Sequence, residues 1–300
     1  MKIVVAGGTG FLGRHITRAL LDAGHDVTVL SRTARTSGIP QLAGANATAA
    51  DVTDPVSLAG KLDGADGVVG AVQFPNYPME VPRKGLTFDR YDRQGTENLI
   101  AEAERAVVSS YVYISGAGAD PATPVTWYRA KGRAEAALRT SSMAATVLRP
   151  SWAYGPEDKA LNKFVQIARY SPIVPRVGVR KQLIRPVFVR DVAAAVARIF
   201  ERGAWDKTYE IGGPDVVTMD EVIRTMLDVM GKRRLVVGVP KVLPKIATAP
   251  FVLLPKPPMT PGGIEFAVQD GLVDSTELER DLDLHPVALR EGLSTYLAPS

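Results

Sequence analysis

Gly7, Gly10 and Gly13 stand three residues apart in GGTGFLG, residues 7–13, with Thr9, Phe11 and Leu12 among the residues between them. Glycines at that spacing, after a strand and before a helix, let a diphosphate lie against the main chain. The first permits a tight turn. The second, having no Cβ, lets the anion reach the backbone. The third lets the helix pack close to the strand, while the amides and dipole of the helix start favour negative charge. Downstream, VLSRTAR brings Ser31, Arg32 and Arg35 to the end of a second β-branched run, with no acid until Asp51. An acid at that strand end would bond the 2′-hydroxyl of NAD, whereas arginine suits a 2′-phosphate through charge-assisted bonds. The chemistry implied is binding of a pyridine dinucleotide, NADP(H) favoured and NAD(H) the alternative.

The elements that must position these residues follow from periodicity. KIVVAGG reads as a buried strand, GRHITRALLDAG as an amphipathic helix stopped by Gly24, and DVTVLSR as a second strand. That is a βαβ unit of about 30 residues. VSLAGKLDGA then reads as a short helix, DGVVGAVQF as a strand, RQGTENLIAEAERA as a helix and SSYVYISGAGA as a strand. WYRAKGRAEAALRTS follows as a helix and MAATVLRPS as a strand. The alternation predicts an α/β protein, a Rossmann-type doubly wound parallel sheet. After Pro150 the rhythm changes. LNKFVQIARYSP and TMDEVIRTMLDVMGK read as helices, KTYEIGGPD as a strand, and QLIRPVFVRDVAAAVARIFERG as a strand feeding a helix capped near Asp191. Residues 1–150, with a return segment about 183–213, form the expected dinucleotide-binding domain. Residues about 151–182 and 214–300 form an expected small C-terminal lobe for substrate or partner.

Bulk properties exclude several classes. The chain has no cysteine, so disulfides, thiolate metal sites and cysteine nucleophiles are out. His15, His25 and His285 are scattered, and no metal site is expected. A net charge of +4 over 300 residues suits an anionic cofactor and is too weak to argue for nucleic acid. MKIVVAGG leads straight into a strand and no run of about 18 apolar residues occurs, so a cytoplasmic protein without signal peptide or membrane span is expected.

GGTGFLGRHITRAL (7–20), GTENLIAEA (95–103), YVYISGAGAD (111–120), YRAKGRAE (128–135), LRPSWAYGPEDKALNKF (148–164) and PVFVRDVAAAV (186–196) together resemble an atypical or extended short-chain dehydrogenase/reductase. The likeness covers nearly the whole chain. It is greatest to the branch containing the NADPH-binding accessory subunit of respiratory complex I. The resemblance implies further cofactor contacts. Asp51 and Val52 match the adenine position, with a turn cap as the other reading of Asp51. Ala71, Val72 and Gln73 match the loop beside the cofactor. Ser115 lies near the nicotinamide, and the backbone of Pro150, Ser151 and Trp152 passes beside its ring.

In active relatives a serine, a tyrosine and a lysine act together, the tyrosine four residues before the lysine and about 40° from it around the helix. Here the lysine is Lys131, the serine Ser115, and the tyrosine's place holds Trp127. Tyr128 is displaced from that place by about 100°. An indole N–H is a donor with no useful acidity, so the tyrosine-type proton relay is expected to be absent. Lys131, Ser115 and Tyr128 are the candidate catalytic residues, with Lys131 expected on the ribose. Lys131 as the acid, as in isoflavone-reductase-type proteins, stays open.

On the substrate side, Glu157, Asp158, Asn162 and Lys163 are polar candidates whose plainer reading is helix capping and exposure. Arg176, Arg180, Lys181, Arg185 and Arg190 read as a solvated face, a phosphorylated ligand being the alternative. IATAPFVLLPKPPM (246–259) reads as buried under the small lobe, with a lid, a membrane-touching surface or a partner interface as alternatives. The functions these readings support are an oxidoreductase acting on a small apolar carbonyl, enoyl or quinone-like compound, or a non-catalytic NADP(H)-binding sensor or respiratory-complex accessory protein. A sugar-nucleotide epimerase is disfavoured, because that chemistry depends on the tyrosine.

Overall fold

The computed structural model describes residues 1–177, 182–239 and 271–297. Along the chain run β1 (Lys2–Ala6), α1 (Phe11–Asp22), β2 (Asp26–Ser31), β3 (Asn46–Ala49), α2 (Pro55–Leu58), β4 (Gly67–Gly70), a π-helical turn (Asp89–Gln94) continuing into α3 (Gly95–Arg105), β5 (Ser110–Ile114), α4 (Thr126–Arg139) and β6 (Ala144–Pro150). Then come β7 (Ala153–Tyr154), α5 (Leu161–Tyr170), β8 (Ile173–Val177), β9 (Leu183–Ile184), β10 (Val187–Phe188), α6 (Val189–Arg202), β11 (Lys207–Ile211), β12 (Val217–Thr218), α7 (Met219–Val229), β13 (Leu235–Val239), α8 (Thr276–Leu282) and α9 (Leu289–Ser294).

Seven strands form one sheet in the order β11-β6-β5-β4-β1-β2-β3, every pair parallel. This is the doubly wound Rossmann-type architecture. Alternate residues of a strand point to opposite faces, and in β1 both faces are buried. Ile3 and Val5 join a core with Ile16 and Leu20 of α1 and Val192, Val196 and Phe200 of α6. Val4 and Ala6 join a core with Leu99 and Ala103 of α3 and Ala134 and Leu138 of α4. Covering both faces with helices explains the continuous β-branched runs. The strand order reverses direction between β1 and β4, where open α/β sheets bind ligands beyond the strands' carboxyl ends.

A third apolar core gathers Tyr154, Leu161, Val165, Phe188, Val222, Met226, Leu289 and Leu293. It joins α5, α7 and α9 to the short strands after β6. Two expected elements differ from the sequence reading. The helix expected over VSLAGKLDGA closes at Leu58, and Gly60 and Gly64 follow at φ +75° and +73°, which a helix cannot contain. Asp191 does not cap α6. The cap position is Phe188, and Asp191 lies buried in the first turn, its carboxylate accepting from the Val287 N–H at 3.0 Å. The apolar segment 246–259 and two of the basic residues, Arg180 and Lys181, lie outside the described residues.

Candidate functional site

The glycine loop closes on itself where β1 ends. The Gly10 N–H donates to the Gly7 carbonyl at 2.8 Å, and the Gly7 N–H to Leu30 of β2 at 2.9 Å. Gly7 has φ +80°, and a Cβ built there would stand 2.6 Å from the Ala71 carbonyl oxygen. At Gly13 a Cβ would stand 2.2 Å from the Gly7 oxygen. Both positions therefore demand glycine: Gly7 brings the loop against the segment after β4, at the reversal of strand order, and Gly13 brings the start of α1 against the loop itself. Gly10 itself is the cap residue of α1. It offers no side chain to the first amides, and the first turn carries no acid. The first amides of a helix have no partner within it, so the Phe11 and Leu12 end of α1 is suited to an anion. Arg14 reinforces the mouth, donating to the Thr9 oxygen at 2.8 Å and the Gly10 oxygen at 3.1 Å.

Beyond β2, Ser31 is half-buried, while Arg32 and Arg35 are exposed; among the described residues neither arginine forms an ion pair. Asp51 organises a turn: its carboxylate accepts from the Thr53 N–H at 2.9 Å and the Thr53 hydroxyl at 2.8 Å. Val52, beside it, is buried. Ala71 continues the sheet through its N–H to Ala6 at 2.9 Å, with Val72 half-buried and Gln73 exposed. Pro150 accepts from the Ala117 N–H at 3.0 Å, Ser151 donates its hydroxyl to Gly271 at 2.7 Å, and Trp152 packs against the third core.

The three candidate catalytic residues are each engaged. The Ser115 hydroxyl donates to Glu135 Oε1 at 2.5 Å. Glu135 is fully buried and also takes Arg149 Nη2 at 2.6 Å and Nε at 2.9 Å, so one carboxylate ties β5, α4 and β6 together. Lys131 is 3% exposed. Its ammonium donates to the Ile114 oxygen at 3.1 Å and the Val72 oxygen at 3.5 Å, and lies 3.2 Å from Asp92 Oδ1. Trp127 fills the place four residues earlier, its indole seated on Gly116, where a Cβ would come within 2.3 Å of the ring. It meets Tyr77 edge-on at 6.0 Å between centroids and Tyr128 at 5.1 Å. Phe74, Phe88 and Tyr91 complete an aromatic cluster over the start of α4. The Tyr128 ring lies against Gly118, and burial pushes its phenol above the ordinary tyrosine range, making it a poorer acid.

This site is a glycine loop suited to an anion at the sheet's reversal, with a buried lysine at the carboxyl ends of the same sheet and aromatic rings beside it. Residues 7–182 match the model of a family described as NAD(P)H-binding. The chain belongs to this NAD(P)H-binding family. It is 30% identical to the NADH dehydrogenase [ubiquinone] 1 alpha subcomplex subunit 9, mitochondrial, of Arabidopsis thaliana, over 95% of this chain and 74% of that protein. It is 26% identical to the NADH-ubiquinone oxidoreductase 40 kDa subunit, mitochondrial, of Neurospora crassa, over 98% and 78%. A UDP-glucose 4-epimerase structure from Thermotoga maritima superposes with a TM-score of 0.77 at 21% identity, over 99% of this chain and 97% of that one, a likeness of fold alone.

An NAD(P)H-binding chain needs a cradle for the diphosphate, and the Gly7, Gly10 and Gly13 geometry fits one. The substrate-side candidates have structural duties. Asp158 accepts from the Ala160 and Leu161 N–H groups at 2.9 and 2.6 Å, and Asn162 donates to the Pro156 and Asp158 oxygens, both at 2.7 Å. Glu157 bonds His15 of α1 at 2.8 Å and Gln41 at 2.7 Å, while Lys163 is exposed. Arg185 donates to Gly213 and Val273 carbonyls, and Arg190 lies over the Phe188 ring. Arg176 lies 3.7 Å from Asp220. Sequence reasoning missed Asp92 and Glu135. Asp92 sits in DRYDRQ among charges that form a partly exposed ladder, Asp89–Arg93–Glu97, and nothing in the local pattern separates it from them. No helix among the described residues is long and apolar enough to cross a membrane.

Proposed function

We propose that the protein binds NADP(H) at the glycine loop and passes hydride to a small, quinone-like acceptor, without a tyrosine proton relay. One observation carries the reading: an indole, packed on Gly116, occupies the place four residues before Lys131. Hydride addition to a ketone makes an alkoxide, a strong base that needs an acid at hand. Addition to a quinone makes a phenolate-like oxygen, whose conjugate acid has a pKa of about 10, as in tyrosine. Water can protonate that oxygen without help from the protein. The half-buried aromatic rings of Tyr77 and Trp127 suit a flat apolar partner, since ring pairs are worth about 0.5–1.5 kcal/mol beyond burial. Preference for NADP(H) is supported by the exposed Arg32 and Arg35 and by the absence of an acid between Ser31 and Asp51.

The test follows NADPH oxidation with short-chain quinones beside aldehydes and ketones. Turnover of quinones only, unchanged in Tyr128→Phe, is expected. Ketone turnover abolished by Tyr128→Phe means that the phenol acts after all. Arg32→Ala/Arg35→Ala should weaken NADPH about tenfold and leave NADH unchanged; an equal loss for both removes the 2′-phosphate assignment.

A second reading has its own support, in the relatives named as complex I subunits that match most of the chain. In it the protein holds NADP(H) as a structural or sensing group and contacts a respiratory assembly. NADPH binding with no turnover on any acceptor favours it.

A further inference from the structure

β8 and β13 form a small sheet that is apolar on both faces, although only one face lies on a core. The strands pair in parallel, with Ile173 opposite Leu235, Val174 opposite Val236 and Pro175 opposite Val237. Successive side chains of a strand point to opposite faces. Val174, at 0% exposure, and Val236 share the inner face and join the third core. Ile173, Pro175, Leu235 and Val237 share the outer face. There Ile173 is 46% exposed, Leu235 62% and Val237 39%, and Pro175 is exposed as well. A sheet with one face on a core ordinarily shows polar residues on the other. These four outer positions hold none. Tyr170, where α5 leads into β8, is also exposed.

The charge around this face has one sign. Between Asp158 and Asp191 the sequence has eight Lys and Arg and no acid, and between Asp228 and Glu265 it has six and no acid. The first stretch contains β8 and the second β13. The 36 Lys and Arg of the chain, less these 14, leave 22 against 32 acids, so the remainder is acidic. Arg169, beside Tyr170, and Arg233, two residues before Leu235, are exposed, and Lys232 is half-buried. Among the described residues none of these three forms an ion pair. The acids of the neighbouring α7 have other partners: Asp220 lies 2.6 Å from Arg224, and Asp228 3.1 Å from Arg290.

We propose that the outer face of the β8–β13 sheet docks on an anionic lipid bilayer. Ile173, Leu235, Val237 and Tyr170 enter the headgroup boundary, while Arg169, Lys232 and Arg233 meet the lipid phosphates. An apolar face ringed by cations is what such a surface binds, and each cation near it is worth about fivefold in affinity. A second copy of this chain fits less well. A twofold contact sets a patch against itself, which would bring these cations together. A nucleic acid would use the cations and leave the aliphatic face wet. The glycine loop takes no part, so docking requires no dinucleotide.

The experiment sediments the full chain, without added nucleotide, with vesicles of phosphatidylcholine alone and of phosphatidylcholine and phosphatidylglycerol in equal parts. Wild type is expected on the anionic vesicles and in the supernatant of the neutral ones. Arg169→Ala/Lys232→Ala/Arg233→Ala should weaken binding about a hundredfold. Leu235→Thr/Val237→Thr, which keeps strand-forming residues, should weaken it about tenfold. Because both replaced side chains are exposed, its melting temperature should fall by less than about 5 °C. Wild type that stays off anionic vesicles overturns the proposal, and so does either variant binding within twofold of wild type. A larger fall in melting temperature for Leu235→Thr/Val237→Thr means that the face packs against the protein's own chain. A wild-type dimer in sedimentation velocity that this variant dissociates means that a second copy covers it. Either result overturns the proposal too.

Discussion

Gly13→Ala tests the cradle directly. The added Cβ would stand 2.2 Å from the Gly7 oxygen and 2.7 Å from the Gly8 Cα. Real Cβ atoms essentially never approach within 3.0 Å, so the first contact is at least 0.8 Å too close. Both neighbours are backbone, so no side chain can swing aside. The loop or the start of α1 must shift by close to an ångström. Overpacking of that kind costs about 3 kcal/mol. In a chain of this size that lowers the melting temperature by about 6 °C. The same shift moves the amides of Phe11 and Leu12 relative to the Gly7–Gly10 turn. An ångström of misplacement in a positioned site costs about a hundredfold, and NADPH affinity should fall by that order. Gly24→Ala is the control. Gly24 also has a left-handed φ of +81°, with nothing within 4 Å of a built Cβ. It should lose about 1 kcal/mol of stability and no NADPH affinity. Differential scanning fluorimetry and equilibrium dialysis read both quantities. A Gly13→Ala protein that keeps NADPH affinity within twofold refutes the claim that this contact shapes the phosphate site.

Two further outcomes follow from buried carboxylates. Burial pushes the Asp191 carboxyl up to about 6 from 3.8, opposed by the Val287 N–H and assisted by Glu291. The folded state holds that proton more tightly than the unfolded chain, so the stabilisation is complete below about pH 4 and is lost as pH rises through about 6. Asp191→Asn keeps an acceptor for Val287 and removes the titration, so the melting temperature of wild type should fall relative to it between pH 4 and pH 7; parallel profiles would exclude Asp191 as the source. Glu135→Ala strips Arg149 and Ser115 of their shared partner, and should cost about 3 kcal/mol in urea unfolding. A loss below about 1 kcal/mol would show that the network is solvent-compensated.

Much of the architecture was legible in the chain itself. The β-branched runs at 2–6, 26–31 and 110–114 and the helices between them follow from periodicity, because a parallel sheet covered on both faces needs both faces of each strand apolar. The tight glycine loop was legible for an equally local reason: a missing Cβ is a property of one residue. The substitution of Trp127 at the tyrosine position was visible too, since residues four apart on a helix share a face whatever the rest of the chain does. Other features were decided by contacts between residues distant in sequence. Asp191 looked like a cap and proved to anchor Val287. Asp92 carries no local signal that separates it from its charged neighbours, and it is the partner of Lys131, 39 positions away. Glu135 gathered Ser115 and Arg149. Local patterns report which face a residue occupies and how the backbone turns. Whether a charge is neutralised, and by what, depends on which strands and helices pack together, and only the assembled fold determines that.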